Sequence, residues 1–307
     1  MTTLSLPSLL TDWHLSGYHI TYGPLEHQVF VKELGSKSAP ASKTLLLLHG
    51  FPESSFSYHL VVGGLLDVFD RIILFDMIGY GSSDKPVEGY GYSLMEQADV
   101  AFTVWKHFGI TGGHMLSHDM GDSVATEIVV RHENDVMPAW FADGLQSLTF
   151  TNGSMVLDLA DLRITQKILL SKYGPLMQRI TNFKVFNQQV KSAHGNDNLT
   201  DEEIQLLWAA NTINAGDKKT YLTIKYLNDR KKFEKTRWLP ALGQTTLPVH
   251  LCWGDADQVA RVEMAHYLKK NICKSATLTI MKGLGHFCQL GSPSEWLQYV
   301  TSYYNRL

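Results

Sequence analysis

The chain has 307 residues, 44% of them hydrophobic and 19% charged, a balance that excludes extended disorder and fibrous repeats. Lys and Arg number 27 against 30 Asp and Glu, so the net charge of −3 gives no overall attraction to nucleic acid or to an anionic membrane, and a small partner is expected. Three widely spaced cysteines, Cys252, Cys273 and Cys288, contain no CxxC pair, which argues against a disulfide framework or a zinc site and fits a reducing compartment.

The opening stretch MTTLSLPSLLTDWHLSGYHITYG has no basic start and no apolar run long enough to span a bilayer, so a cytoplasmic protein without an integral membrane segment is expected. From Tyr18 to Leu34 the alternation of YHITYGPLEHQVFVKEL predicts a hairpin. TLLLL at 44–48, closed by His49-Gly50 and Pro52, is a short continuous apolar run, the pattern of a central parallel strand covered on both faces. Further strands are expected at 71–76, 113–117, 146–152, 247–254 and 276–283, with helices at 94–108, 120–131 and 262–270 between them. Such alternation predicts an α/β fold with a mostly parallel sheet flanked by helices. The interval 154–244 breaks the rhythm, being helical in its apolar spacing, with a capping box expected at Thr200 and Glu203. It reads as an inserted helical subdomain, leaving 1–153 and 245–307 as the core domain. Its cluster of Lys218, Lys219, Lys225, Lys231, Lys232 and Lys235 with Arg230 and Arg237 reads as a solvated helix face.

The chemistry concentrates at Met115-Leu-Ser-His-Asp-Met-Gly-Asp122, where a buried strand meets a helix. A reactive residue on a sharp strand-to-helix turn needs small neighbours two positions either side, and Ser117 and Gly121 flank Asp119 in that way. No G-x-S-x-G occurs, so Asp119 takes the central position. A carboxylate there forms an ester by attacking an sp³ carbon, whereas at a carbonyl it would form an unstable anhydride; epoxides and halides are therefore the favoured electrophiles. The plain alternative is that Asp119 only caps the helix that follows. His49-Gly50-Phe51-Pro52 ends the first buried strand, where the Phe51 and Met120 N–H groups can face one oxygen. Asp257 and His286 follow the last two strands, and Asp119, Asp257, His286 is the order nucleophile, acid, base.

HGFPES at 49–54, FDMIGYGSSDKP at 75–86, SHDMGD at 117–122, WGDADQV at 253–259 and GLGHFCQL at 283–290 carry a resemblance to α/β-hydrolase-fold enzymes of the epoxide hydrolase and haloalkane dehalogenase branch, over nearly the full length. Within that branch LSHDMGD and YLNDRKKF look most like the mesoderm-specific transcript protein group. The resemblance implies Asp119 as nucleophile, His286 as the base that activates water, Asp257 rather than Asp255 as its carboxylate partner, and no metal or organic cofactor. It places the oxyanion and substrate contacts at His49, Gly50, Phe51, Pro52 and Met120, with Trp208 in the cap. Cap tyrosines supply the acid in epoxide opening, here Tyr226 and, second, Tyr173. Two departures stand out. Phe51 and Met120 occupy positions where dehalogenases carry side-chain N–H donors for halide, and Asp122 stands where Gly or Ala is usual, able to raise the nucleophile's pKa or to face a polar partner. The expected function is hydrolysis of an epoxide on a lipophilic substrate by a monomer or homodimer. The alternatives are a haloalkane or haloacid dehalogenase, or a catalytically weak binding protein that keeps the fold.

Overall fold

TLLLL, RIILF and GGHMLSH are buried at every position, which only a strand covered on both faces allows. In the computed structural model, which describes residues 7–160 and 163–307, they become the middle of a single eight-stranded sheet. The first six residues of the opening stretch, and residues 161 and 162 of the expected insertion, lie outside the described residues. The strands are β1 (Tyr18–Tyr22), β2 (His27–Gly35), β3 (Thr44–Leu48), β4 (Arg71–Phe75), β5 (Gly112–His118), β6 (Gly144–Thr151), β7 (Val249–Gly254) and β8 (Thr277–Met281). They lie in the order β1-β2-β4-β3-β5-β6-β7-β8. The hairpin β1-β2 joins β4 antiparallel; from β4 onward all neighbours are parallel. Leu46 pairs with Ile73 on one side and Met115 on the other and is fully buried, so truncation to Ala there costs about 2–5 kcal/mol.

Element ends differ from expectation where a local turn wins. β6 stops at Thr151 because Asn152 takes a positive φ of 55°. β8 stops at Met281, two residues before Gly283 turns at φ 74°. The helix from Val262 ends at Tyr267 and continues as a wider turn, Leu268–Ile272. At Thr200 only half of a capping box forms, its hydroxyl accepting from the Glu203 N–H at 3.2 Å. The reciprocal box stands at Ser93-x-x-Glu96 instead, before the helix Leu94–His107, and is worth about 1 kcal/mol.

Between β6 and β7 the described residues form helices and no strand, among them Ile164–Leu169, Gly174–Ile180, Phe183–His194, Asp201–Thr212 and Tyr226–Phe233. Polar contacts help seat these helices on the core. Asp229 Oδ2 accepts from the Ser93 hydroxyl and the Leu94 N–H, both at 2.7 Å, placing negative charge at a helix N-terminus. Arg237 and Trp238 both donate to Glu127 on the helix Met120–Glu133. Apolar packing adds to them: Phe186, Val190, Ile204 and Leu207 close over Phe287 and Leu290.

Candidate active site

β5 runs buried to His118, the chain reverses at Asp119, and the helix Met120–Glu133 begins at the next residue. Asp119 has φ 47° and ψ −110°, a left-handed conformation that costs a non-glycine residue about 1–3 kcal/mol and persists only where its surroundings fix it. Its N–H donates to the Thr151 carbonyl at 3.1 Å. Gly121 lets the helix approach the end of β3, since a Cβ there would lie 2.6 Å from the Leu48 carbonyl oxygen. The carboxylate does not cap its own helix. Instead Oδ2 accepts from the Phe51 N–H at 3.0 Å, which removes the plain capping alternative.

His286 and Tyr226 share with Asp119 a cavity of about 220 Å³. His286 Nδ1 lies 2.8 Å from Asp257 Oδ2, with both side chains buried. That carboxylate is held from three further sides: Asn152 Nδ2 donates to Oδ2 at 2.7 Å, and the Val259 and Ala260 N–H groups donate to Oδ1 at 2.6 and 2.9 Å. Burial alone would raise Asp257, but neighbouring His286 and these hydrogen bonds hold it below the usual carboxylate value. Nδ1 of His286 is thus committed to Asp257. Asp255, by contrast, is exposed and accepts only the Gly283 N–H. Burial, then the nearby Asp119 charge, push the Tyr226 phenol upward while Arg230 opposes them, so Tyr226 keeps its proton.

Beneath the site lies a buried ion pair. His118 Nδ1 meets Glu53 Oε2 at 2.6 Å, and its Nε2 meets the His286 carbonyl at 2.9 Å, so both ring nitrogens donate. Burial disfavours charge on His118, yet the Glu53 carboxylate, the bond to it and the nearby Asp119 outweigh it, raising the ring to about 9. Gln289 and the Gly50 N–H complete the Glu53 shell. A fixed positive charge therefore sits next in chain to Asp119.

Asp122 resolves its two expected roles in favour of a polar partner: it is fully buried and its Oδ1 accepts from the Ser117 hydroxyl at 2.6 Å. Burial, only partly opposed by Ser117 and His118, lifts it to about 8, so it is neutral at pH 7. Because the folded value lies above the unfolded one, the folded state keeps a proton that the unfolded chain releases near pH 4. Stability therefore falls as pH rises from about 4 to about 8 and levels off above that. Asp122→Asn, neutral at every pH, is expected to melt several degrees above the parent at pH 8, with the gap closing toward pH 4; equal Tm values at pH 8 would refute the neutral state.

Several expected site residues lie elsewhere. His49 points into the core, where its Nε2 accepts from the Met77 N–H at 2.9 Å and its Nδ1 meets the Gly50 carbonyl; it ties the end of β3 to the end of β4 and does not line the cavity. Tyr173 is exposed, beside Lys172, at the start of Gly174–Ile180, because its helix turns that face outward. Trp208 packs behind the cavity on Phe183 and Phe186. Gly50 serves by being small, since a Cβ there would lie 2.8 Å from that of Asp119. Pro52 lines the cavity. Met120 shares the turn with Asp119, and its Sδ accepts from the Tyr80 hydroxyl.

Arg230 corrects the reading of the basic cluster. It is only 2% exposed. Its Nε donates to the Ser123 hydroxyl at 2.9 Å, and Nη2 lies 3.3 Å from the Asp119 carbonyl oxygen and 4.0 Å from Asp119 Oδ1. The guanidinium also stacks over the Tyr226 ring at 4.8 Å. Asn152, whose side chain braces both Asp257 and the Gly254 N–H, is the other residue missed. Its one local signal was an Asn at a strand end, a residue that tolerates positive φ. Among the described residues no group of three or more His, Cys, Asp or Glu is placed to hold a metal.

A family model for the α/β hydrolase fold matches residues 43–293. The mouse mesoderm-specific transcript protein is 30% identical over 98% of this chain and 89% of that protein. Human epoxide hydrolase 4 is 24% identical over 81% of the chain and 68% of that protein. Among solved structures, a haloalkane dehalogenase loop variant from Bradyrhizobium elkanii superposes with a TM-score of 0.73 at 20% identity, over 95% of this chain and 96% of that one, a likeness of fold.

Proposed function

This chain belongs to the α/β-hydrolase fold family, and from that premise we propose that it hydrolyses small lipophilic epoxides through a covalent ester on Asp119. The observation that carries the reading is a buried carboxylate on a left-handed turn, one oxygen held by a backbone N–H, opening into a cavity shared with a histidine and a protonated tyrosine. Oδ1 attacks a ring carbon, the C–O bond of the epoxide breaks, and the departing oxygen takes the Tyr226 proton. His286, oriented by Asp257, then takes a proton from water, which adds to the ester carbonyl carbon. The resulting oxyanion forms on Oδ2, where the Phe51 N–H already points. Collapse breaks the Cγ–Oδ1 bond, so the diol leaves with Oδ1 and the proton of the added hydroxyl while the water oxygen stays in the carboxylate, and the proton held by His286 restores Tyr226. The helices between β6 and β7 act as the cap, bringing Tyr226 and Arg230 to the site.

Size and lining narrow the substrate. An apolar cavity of roughly 150 Å³ accepts benzene, so about 220 Å³ suits one ring or a short chain. Phe51, Leu169, Met177 and Phe186 make the walls. The Phe51 and Met120 side chains offer no N–H to a departing halide, which favours epoxide over haloalkane. The test is diol formation from fluorogenic epoxides, run beside haloalkanes and esters, with a single turnover in ¹⁸O-water. The expected result is turnover of epoxides, with the first ¹⁸O appearing in Asp119 and not in the first diol. Ester-only activity, or label in the first diol, would overturn it.

A further inference from the structure

Outside the catalytic residues, the least ordinary surface is the mouth of the cavity. Residues 162–196 contain six basic side chains, Arg163, Lys167, Lys172, Arg179, Lys184 and Lys191, and no Asp or Glu, in a chain where acids outnumber bases. Arg163 is spent on the Gln189 and Ser192 carbonyls, and Lys191 pairs with Asp201. Lys167, Lys172, Arg179 and Lys184 are exposed.

Large apolar side chains stand among these charges. Ile164 is 75% exposed, Leu176 62%, Ile180 64% and Tyr173 57%. On the helix Gly174–Ile180, Leu176 and Ile180 project on one side with Tyr173 one turn before, while Gly174 and Gln178 face inward. Ile180 also lines the cavity, as do Met177 and Val185, so the outer apolar rim is continuous with the inner wall. Exposed apolar residues taken one by one need no explanation; an exposed apolar helix face that runs into a cavity wall marks an interaction surface.

We propose that this rim docks on an anionic lipid bilayer, with Ile164, Leu176 and Ile180 entering the interface and the lysines facing lipid phosphates and carboxylates. Two features favour lipid over a protein partner. Lys167, Arg179 and Lys184 directly adjoin the cavity-lining Gln166, Ile180 and Val185 in the chain, and the segment 162–196 holds no acid, which suits a diffuse anionic plane. Hydrocarbon covering the rim would also let a lipophilic molecule dissolved in the bilayer enter the cavity without crossing water. Tyr173, unfit as an acid because it faces outward, has the amphipathic ring favoured at membrane surfaces. Among the described residues no helix is long and apolar enough to cross a membrane, so the contact is peripheral.

The experiment is co-sedimentation of the full chain with vesicles of phosphatidylcholine alone and of phosphatidylcholine with about one-third phosphatidylserine. Binding to the anionic vesicles is expected, weakening with added salt. Each basic residue contributes roughly fivefold in partitioning, so Lys172→Gln with Lys184→Gln should weaken it about 25-fold. Ile164→Glu with Leu176→Glu should weaken it at least about tenfold, with an unchanged melting curve because both side chains are already exposed. Equal binding to both vesicle types, no binding, insensitivity to the Glu variants, or a rim buried in a dimer that vesicles do not dissociate would each overturn the proposal. Vesicle binding requires no turnover, so the docking surface and the epoxide chemistry stand or fall separately.

Discussion

In the His286→Gln variant the protein's mass is expected to rise by the mass of one epoxide molecule and to stay there. In the proposed mechanism the first half-reaction uses Asp119 and Tyr226, and neither loses its contacts when the imidazole is removed. The proposed second half-reaction needs a base to take the proton of water, the part assigned to the ring tied to Asp257 at 2.8 Å. Positioned general bases contribute about 10²–10⁴-fold, so ester hydrolysis should slow by about three orders of magnitude while ester formation remains fast. Gln offers an amide that can still bond to Asp257 but cannot accept the proton at neutral pH. Intact-protein mass spectrometry after rapid mixing reads the adduct, and peptide mapping should place it on Asp119. Unchanged steady-state turnover with no adduct would remove His286 from the mechanism.

Asp119→Ala should show no adduct and no diol, a fall in kcat/KM of about four to six orders of magnitude, the scale of losing a covalent nucleophile. Folding must be checked alongside, because the substitution leaves Arg230, only 2% exposed, without its neighbouring carboxylate, and an unpaired buried charge is destabilising. Asp119→Asn separates the two effects. It preserves the oxygen that accepts the Phe51 N–H and the shape of the turn but offers no charged nucleophile. Both variants inactive, with Asn folded like the parent, is the expected outcome. Activity within tenfold of the parent in either would show that the chemistry is done elsewhere.

Much of this arrangement was legible from neighbouring residues alone. TLLLL and RIILF are too short and too apolar to be anything but covered strands, and both became one, β3 as expected to the residue. The turn at Asp119 was readable because its sterics are local: a small side chain is needed two positions away, and Gly121 supplies it. The S-x-x-E box at Ser93 is equally local, its two residues one helical turn apart.

What tertiary structure alone decided is which distant groups meet. Arg230 lies in YLNDRKKF, a segment whose charge density reads as solvent-facing, yet one helical face of it turns inward and carries the guanidinium to a residue 111 positions away. Tyr226 and Tyr173 are the same chemistry in similar helical contexts, and only the packing of their helices puts one in the cavity and the other outside. His49 sits at the motif that builds the turn but points into the core, because its ring bridges the Gly50 carbonyl and the Met77 N–H. The physical reason is one of range. Dihedral preference and apolar period act over a few residues and so are written in the sequence order, whereas burial of a polar side chain depends on which surfaces dock, and a docking is the sum of contacts made by segments far apart in the chain.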